Sequence, residues 1–543
     1  MSDTTSEPPA PPQGRVGRRE RYLLGIDVGT SAVKALLLES VSGRSHVAAE
    51  RCQPRFGPGV VEAPPTGWWE AARRAVAAVL HLAGVGGDAV EIVSLAGNMS
   101  SVVLLDNAFR PLRSAILLAD TRGEAELRAL PTAVKRRVAA LSGNPLGFGF
   151  SLSKLLWLSF NEPELMSRAA VWVAAKDFVR ECLTGAVATD PSDAFNSLVL
   201  DPADLRWRSD LIGELGLDPQ LFPPVLPGDA LAGAVSSEAA AVTGLRVGTP
   251  VVTGTGDVAA VACAAGWLAT PVPTVSLGTS TTLMVPRPGA ARPPEGFSVH
   301  PVLPGRPWLL LASLLTGGLA LDWLRRLGPL ELQQVGDLEP EQLPVFLPYL
   351  SGRGSPDFDT TQRGTIFGLD PSVGLPQLAA SLFAAVGFEL RDCLVALGVR
   401  DEETVLVTGG GVAVNGFVQL LADTMRREVL VRSMNEATAL GAALVAAGPE
   451  RAGKLVRTIG TQHRVSPRAG SVDALEERYR LARQQAGEFY RALERRVGTH
   501  PLAELPDGEP SGAAHREGGR THRAQDRSPV PTSTRPEAIR ERQ

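Results

Sequence analysis

The sequence predicts an α/β chain with mixed sheets, folded as two similar halves with a ligand between them. Three observations carry this. Apolar runs of strand length alternate with longer helical stretches along the chain. The run Val28-Gly29-Thr30-Ser31 is echoed by Leu277-Gly278-Thr279-Ser280, each inside a strand–turn–strand pattern. A length of 543 residues exceeds what one core usually fills, so two or more domains are expected.

In chain order, residues 1–20 are rich in Pro, Ser, Gly and Arg and are expected to be disordered. Strands are expected at 22–28, 33–38, 90–96, 102–105, 250–253, 273–277, 282–285, 308–313 and 404–408, each a short apolar run bounded by polar or turn residues. Helices are expected at 66–83, 123–130, 153–160, 176–184, 236–242, 317–327, 376–398, 415–426, 436–447 and 473–495. In the last of these, Leu475, Tyr479, Ala482, Ala486, Phe489 and Leu493 recur at helical spacing and read as a core-facing stripe. Residues 499–543 repeat the Pro-rich, charged character of the first twenty and are expected to form a disordered tail.

Composition excludes several functions. A net charge of −4 gives no electrostatic footprint for nucleic acid. No apolar run approaches the roughly 20 residues of a membrane helix, and the N-terminus has no signal-peptide core. Cys52, Cys182, Cys263 and Cys393 lie far apart, with neither metal-ligand nor disulfide-framework spacing, so reduced thiols in a cytoplasmic protein are expected. The seven histidines fall in none of the motif segments, which argues against His-based nucleophilic catalysis and His-ligated metal.

Three segments carry chemistry. At the first hairpin, Gly29 lets backbone approach a ligand, Asp27 is placed to hold a hydrated Mg²⁺, and Thr30, Ser31 and nearby Lys34 are placed for phosphate oxygens. A plain turn between buried strands reads the same way. The second segment is Val251-Val252-Thr253-Gly254-Thr255-Gly256-Asp257, which leads into a small-residue helix; Asp257 reads either as a helix cap or as a general base presented into a cleft. The third is Thr408-Gly409-Gly410-Gly411, either a tight loop or bare backbone for a flat group such as adenine. No GxxxxGK[ST] is present, which disfavours a P-loop NTPase.

With these segments in place, the chain resembles the FGGY family of carbohydrate kinases, most closely its xylulokinase-like members, from about Tyr22 to about Ala447. The matching motifs, in order, are Gly25–Lys34, Ala96-Gly97-Asn98-Met99, Asp120-Thr121-Arg122, Ser153–Trp157, and Lys176-Asp177-Phe178 with Leu183-Thr184-Gly185. Then follow Thr189-Asp190 with Ser192-Asp193-Ala194, Gly254–Asp257, Ser276–Ser280, Phe346–Gly352, Gly364 with Phe367-Gly368-Leu369, Gly409–Gly411 and Glu436–Ala443.

The resemblance implies two RNase H-like domains of the actin/hexokinase type with an active-site cleft between them. A sugar-binding domain would span 21–266 and a nucleotide-binding domain 267–498. It implies ATP-dependent phosphorylation of a small sugar or polyol, D-xylulose or a related ketose leading, with ATP and Mg²⁺ and with neither nucleic acid nor membrane as partner; a homodimer is one assembly it admits. Asp257 matches the family's catalytic base and Asp27 its Mg-associated aspartate. Asn98, Met99, Ser100 and Asp120, with Asp257, fall at the sugar. Gly29, Thr30, Ser31, Lys34, Gly278, Thr279, Ser280, Gly410, Gly411 and Asn415 fall at the nucleotide.

Four departures mark the chain. Ser100-Ser101 follow Met99 where xylulokinases carry a histidine, and Leu118-Ala119 precede Asp120 where they carry Trp-Asn. Arg353-Gly354-Ser355-Pro356 replaces Glu-Arg-Thr-Pro, and Thr281-Thr282 replaces a glycine after the second hairpin. The altered sugar loop leaves a catalytically reduced sugar- or nucleotide-binding regulator as the alternative reading.

Overall fold

The computed structural model describes residues 20–497 other than 279, 291, 360, 415, 435 and 461. Apart from residue 20, the tails expected at 1–20 and 499–543 lie outside the described residues. The first half is built on a seven-stranded sheet. Its strands are β1 (Tyr22–Val28), β2 (Ala32–Glu39), β3 (Ser45–Arg51), β4 (Val90–Gly97), β5 (Leu231–Ala234), β6 (Pro250–Val252) and β7 (Thr255–Gly256). They lie in the order β5-β6-β4-β1-β2-β3, with β7 added beside β4. β1 is antiparallel to β2 and parallel to β4, and β6 is parallel to β4.

The second sheet has β8 (Thr274–Leu277), β9 (Thr281–Arg287), β10 (Ser298–His300), β11 (Trp308–Leu314), β12 (Val405–Thr408), β13 (Val429–Arg432) and β14 (Gln462–Val465). Its order is β10-β11-β9-β8-β12-β13-β14. Again the first strand, β8, is antiparallel to the second, β9, and parallel to β12. The run β3-β2-β1-β4-β6 therefore has the same pairing as β11-β9-β8-β12-β13. The Gly-Thr-Ser echo is thus a true repeat: both copies join the first two strands of equivalent sheets.

Ten of the expected helices are present within a few residues of their expected ends, among them α1 (Pro65–Ala83), α2 (Ser151–Asn161) and α3 (Ala175–Thr184). The small-residue helix after the Gly-rich turn is α4 (Asp257–Ala264), followed by α5 (Leu375–Ala396), α6 (Ala437–Ala447) and α7 (Asp473–Val497). Strands β3 and β14 give no apolar signal because they are edge strands with exposed or half-buried side chains. The helices Thr132–Ser142 and Pro449–Thr458 also lie beyond the expected set.

A main core fills each half, a satellite cluster joins it in the first, and a third main cluster lies between the two sheets. That third cluster joins Leu23, Leu36 and Leu38 of the first sheet to Leu406 of the second through α4 and α6. The two helices meet backbone to backbone: a Cβ on Gly441 would sit 1.8 Å from the Ala260 carbonyl oxygen. Glycine and alanine are needed there because no larger residue admits so close a crossing. All four cysteines are free thiols, with Cys263 and Cys393 buried. No helix among the described residues is long and apolar enough to cross a membrane.

Candidate active site

Strand register brings the two candidate carboxylates together. Asp27 near the end of β1 pairs with Ala96 of β4, and Thr255 of β7 pairs with the same Ala96 from the other side. Gly256 pairs with Gly97, so Asp257 leaves its strand level with Asn98. Gly254 makes this possible: its φ is +87°, and a Cβ would lie 2.1 Å from the Leu95 carbonyl oxygen. Asn98 donates twice to the Val28 carbonyl, from its backbone N–H at 3.0 Å and its Nδ2 at 2.9 Å. Its Oδ1 is buried without a hydrogen-bond partner. Met99 covers the face of Gly256, where a Cβ would lie 2.8 Å from the Met99 Cγ.

Asp257 does not occupy the N-cap position of its helix. Gly256 is the N-cap of α4, and Asp257 stands at the first helical position with its Oδ1 accepting the Val258 N–H at 2.8 Å. The carboxylate therefore benefits from the helix terminus without being consumed as the cap. Burial pushes its pKa up to about 6, against the lowering pull of the Val258, Asp257 and Met99 amides. Asp27 is pushed up to about 7, first by burial and then by the negative charge of Asp257, while Lys34 pulls it down. Asp27 thus titrates in the field of Asp257. A cation beside Asp27 would relieve that repulsion. No group of three or more His, Cys, Asp or Glu among the described residues forms a metal cluster. A single carboxylate such as Asp27 fits a hydrated Mg²⁺, which is commonly held by one or two carboxylates and keeps several waters.

The first hairpin closes with the Gly29 N–H donating to the Ala32 carbonyl at 3.0 Å, leaving Gly29 and Thr30 half-buried and Ser31 exposed. Lys34 is paired: its Nζ lies 2.5 Å from Glu436 Oε2, at the entrance to α6. That ion pair ties the first half to the second beside Asp27. In the second hairpin the Gly278 N–H reaches the Ser280 carbonyl at 3.2 Å, and the Gly318 N–H donates to Gly278 at 2.9 Å. Thr279 and Asn415 lie outside the described residues. The glycine loop stands against this hairpin, since a Cβ on Gly411 would lie 2.9 Å from that of Leu277. At Gly410 nothing lies within 4 Å of a Cβ, so its face is open backbone.

The expected sugar residues divide. Asn98, Met99 and Ser100 join the carboxylate site, and Ser100 is held in the left-handed region at φ 63°. Asp120 does not join them through a free carboxylate. It is 2% exposed and accepts from the Val61 N–H at 2.9 Å, the Arg122 N–H at 3.1 Å and the Arg122 guanidinium. Its neighbour Leu118 is exposed, and the Leu118 carbonyl accepts from buried Lys154 at 3.1 Å. Burial pushes the Lys154 pKa down to about 7. Asp120 thus holds the loop that presents Leu118.

One group has a position but no role in the sequence reading. Lys176, Asp177, Arg180, Asp190, Ser192 and Asp193 are all buried under the Gly-rich turn. In the sequence most of them stand in the motifs Lys176-Asp177-Phe178, Thr189-Asp190 and Ser192-Asp193-Ala194, which carry the resemblance without assigning these residues a role.

Two family patterns cover most of the chain. The FGGY family of carbohydrate kinases, N-terminal domain, matches residues 22–264, and its C-terminal domain matches residues 274–448. A xylulose kinase of Escherichia coli (strain K12) is 32% identical over 454 residues, covering 79% of this chain and 90% of that one. A xylulose kinase of Bacillus subtilis (strain 168) is 29% identical over 440 residues, covering 79% and 88%. The crystal structure of a xyloylose kinase from Brucella ovis superposes with a TM-score of 0.76 at 29% identity, over 88% of this chain and all (100%) of that one. The xylulose kinase structure from Rhodospirillum rubrum gives 0.74 at 25%, over 88% and 99%. Repeated RNase H-like sheets, paired carboxylates and two glycine hairpins therefore have a shared origin: the chain belongs to the FGGY family of carbohydrate kinases and is a xylulokinase-like sugar-phosphorylating enzyme.

Proposed function

We propose that this kinase transfers the γ-phosphoryl group of ATP to a hydroxyl of a small ketose, D-xylulose leading, with Asp257 as general base. The observation that carries the reading is the Asp27–Asp257 arrangement at adjoining strand ends, with the Asp257 pKa raised to about 6. A carboxylate with that value is ionised at neutral pH and is a better proton acceptor than an ordinary one. Asp257 takes the proton of the sugar hydroxyl as its oxygen attacks phosphorus. The unpartnered Asn98 Oδ1 supports a substrate donor, because a sugar hydroxyl would satisfy it.

Phosphoryl transfer asks the protein mostly for position and charge neutralisation. The backbone N–H groups of Thr30, Ser31 and Ser280 would hold phosphate oxygens, the Gly29 and Gly278 N–H groups being bonded within their own hairpins, and the open Gly410 backbone would receive the adenine. Asp27 would hold hydrated Mg²⁺, which when bound neutralises phosphate charge. Residues 21–266 and 267–498 are the two domains in this reading. Ser100 and Leu118, in place of a histidine and a tryptophan, leave fewer groups to pair with hydroxyls, so the pocket admits ketoses other than xylulose more readily.

The test is ADP release with Mg-ATP and a panel of ketoses and polyols. Turnover with D-xylulose or a related ketose, abolished in Asp257→Asn, is expected. No sugar raising ADP release above background would overturn the assignment, as would full activity of the Asn variant.

A further inference from the structure

The Gly-rich turn that presents Asp257 is gripped at both ends by the buried cluster. At its start, the Arg180 guanidinium donates to the Thr253 carbonyl at 2.8 Å and to Asp177 at 2.6 Å. At its end, Ser192 Oγ accepts the Gly256 N–H at 2.7 Å. The same oxygen lies 3.0 Å from Thr255 Oγ1 and donates its own proton to Asp190 Oδ2. With that proton committed to a carboxylate, Thr255 must donate, so Ser192 Oγ gives one hydrogen bond and accepts two. Its orientation has no freedom left. Asp190 is in turn fixed by Lys176, whose Nζ lies 2.9 Å from Asp190, 2.6 Å from Asp177 and 3.1 Å from Asp193. Burial raises the Asp193 pKa well above the ordinary range, against the lowering pull of Lys176.

We propose that Ser192 is a positioning residue for Asp257, acting through the Gly256 amide, with Lys176 and Asp190 as its rigid support. This deepens the reading of Asp257 as general base and rests on it. Gly256 is the residue immediately before the base and the N-cap of its helix. No other hydrogen-bond acceptor reaches its N–H from a side chain among the described residues. Removing the Ser192 oxygen leaves that N–H buried and unpaired, and the turn must shift to satisfy it. A displacement of about 1 Å at a reacting group costs on the order of 10²-fold in rate.

The experiment compares steady-state kinetics of the full chain carrying Ser192→Ala, Ser197→Ala or Asp257→Asn. Ser197 is the control: its buried hydroxyl lies five positions on and donates to the Ala194 carbonyl at 2.6 Å, with no link to the turn. The expected result for Ser192→Ala is a kcat lowered about 10- to 100-fold with the KM for ATP unchanged. Ser197→Ala is expected to lower the melting temperature comparably while kcat holds. Ser192→Cys, a weaker acceptor, should fall between Ser192→Ala and the unmodified chain, and it supplies the reading if Ser192→Ala fails to fold. An unchanged kcat in both Ser192 variants beside an inactive Asp257→Asn overturns the positioning role and leaves the base intact. An active Asp257→Asn overturns the base and the positioning role together. Equal loss of kcat in Ser192→Ala and Ser197→Ala also overturns the role, because it marks a general loss of structure.

Discussion

If Asp257 is the base, the rate must follow its ionisation, and the structure sets where. Its carboxyl has a pKa of about 6, so it holds its proton over a range where an ordinary carboxylate has lost it. A protonated Asp257 cannot accept the hydroxyl proton. The rate is therefore full at high pH and is lost as pH falls through about 6. For a single group with that value, about ten elevenths is ionised at pH 7 and about one eleventh at pH 5, a roughly tenfold fall in kcat. The assay is ADP release at saturating Mg-ATP and ketose from pH 5 to 8.5 at fixed ionic strength. Asp257→Asn should be slower by about 10²- to 10⁴-fold at pH 7 and should lose the acid limb. A limb that does not begin until about pH 4, the value of an unperturbed aspartate, would refute the burial argument. A variant that keeps the limb would show that another group produces it.

Three further outcomes follow from the same geometry. Asp27 and Asp257 are raised to about 7 and about 6 from 3.8, so between pH 4 and pH 7 the folded chain holds protons that the unfolded chain has released. Stability from these groups is present at low pH and lost as pH rises; thermal melts should show Asp27→Asn more stable than the unmodified chain at pH 8 and equal to it at pH 4. Gly441→Ala places a methyl 1.8 Å from the Ala260 carbonyl and forces α4 from α6, costing about 1–3 kcal/mol or more in denaturant unfolding, with activity reduced in the folded fraction. Arg122→Ala strips the guanidinium from buried Asp120 and Glu62 and should cost about 3–5 kcal/mol, readable as a lower urea midpoint. If the main role of Asp120 is instead to bind sugar through a free carboxylate, that variant should alter the KM for sugar while stability holds.

What the sequence reveals here depends on whether a residue's role is local. The β1–β2 and β8–β9 hairpins are legible because glycine, two hydroxyls and flanking apolar runs are contiguous, and the fold repeats them in equivalent sheets. The ambiguity at Asp257 is not local. Whether an aspartate before a helix caps it depends on which residue takes the N-cap position, and Gly256 takes it here because β7 is held beside β4. Asp120 shows the converse: its motif is readable, but its donors come from Val61, far back in the chain, as well as from Arg122 next to it. Lys34 has a similar history, since its partner Glu436 arrives from the other half. Ser192 is the extreme case. A serine after Asp190-Pro191 looks like ordinary helix-start chemistry, and it does accept that role, with its N–H bonded to Asp190 at 2.7 Å. Its hydroxyl nonetheless meets Gly256 across 64 residues of sequence. The glycine hairpins proposed to hold phosphate are short contiguous backbone, so they survive in a linear reading. The aim of Asp257, the proposed base, is set by contacts between distant segments, and only the folded chain displays it.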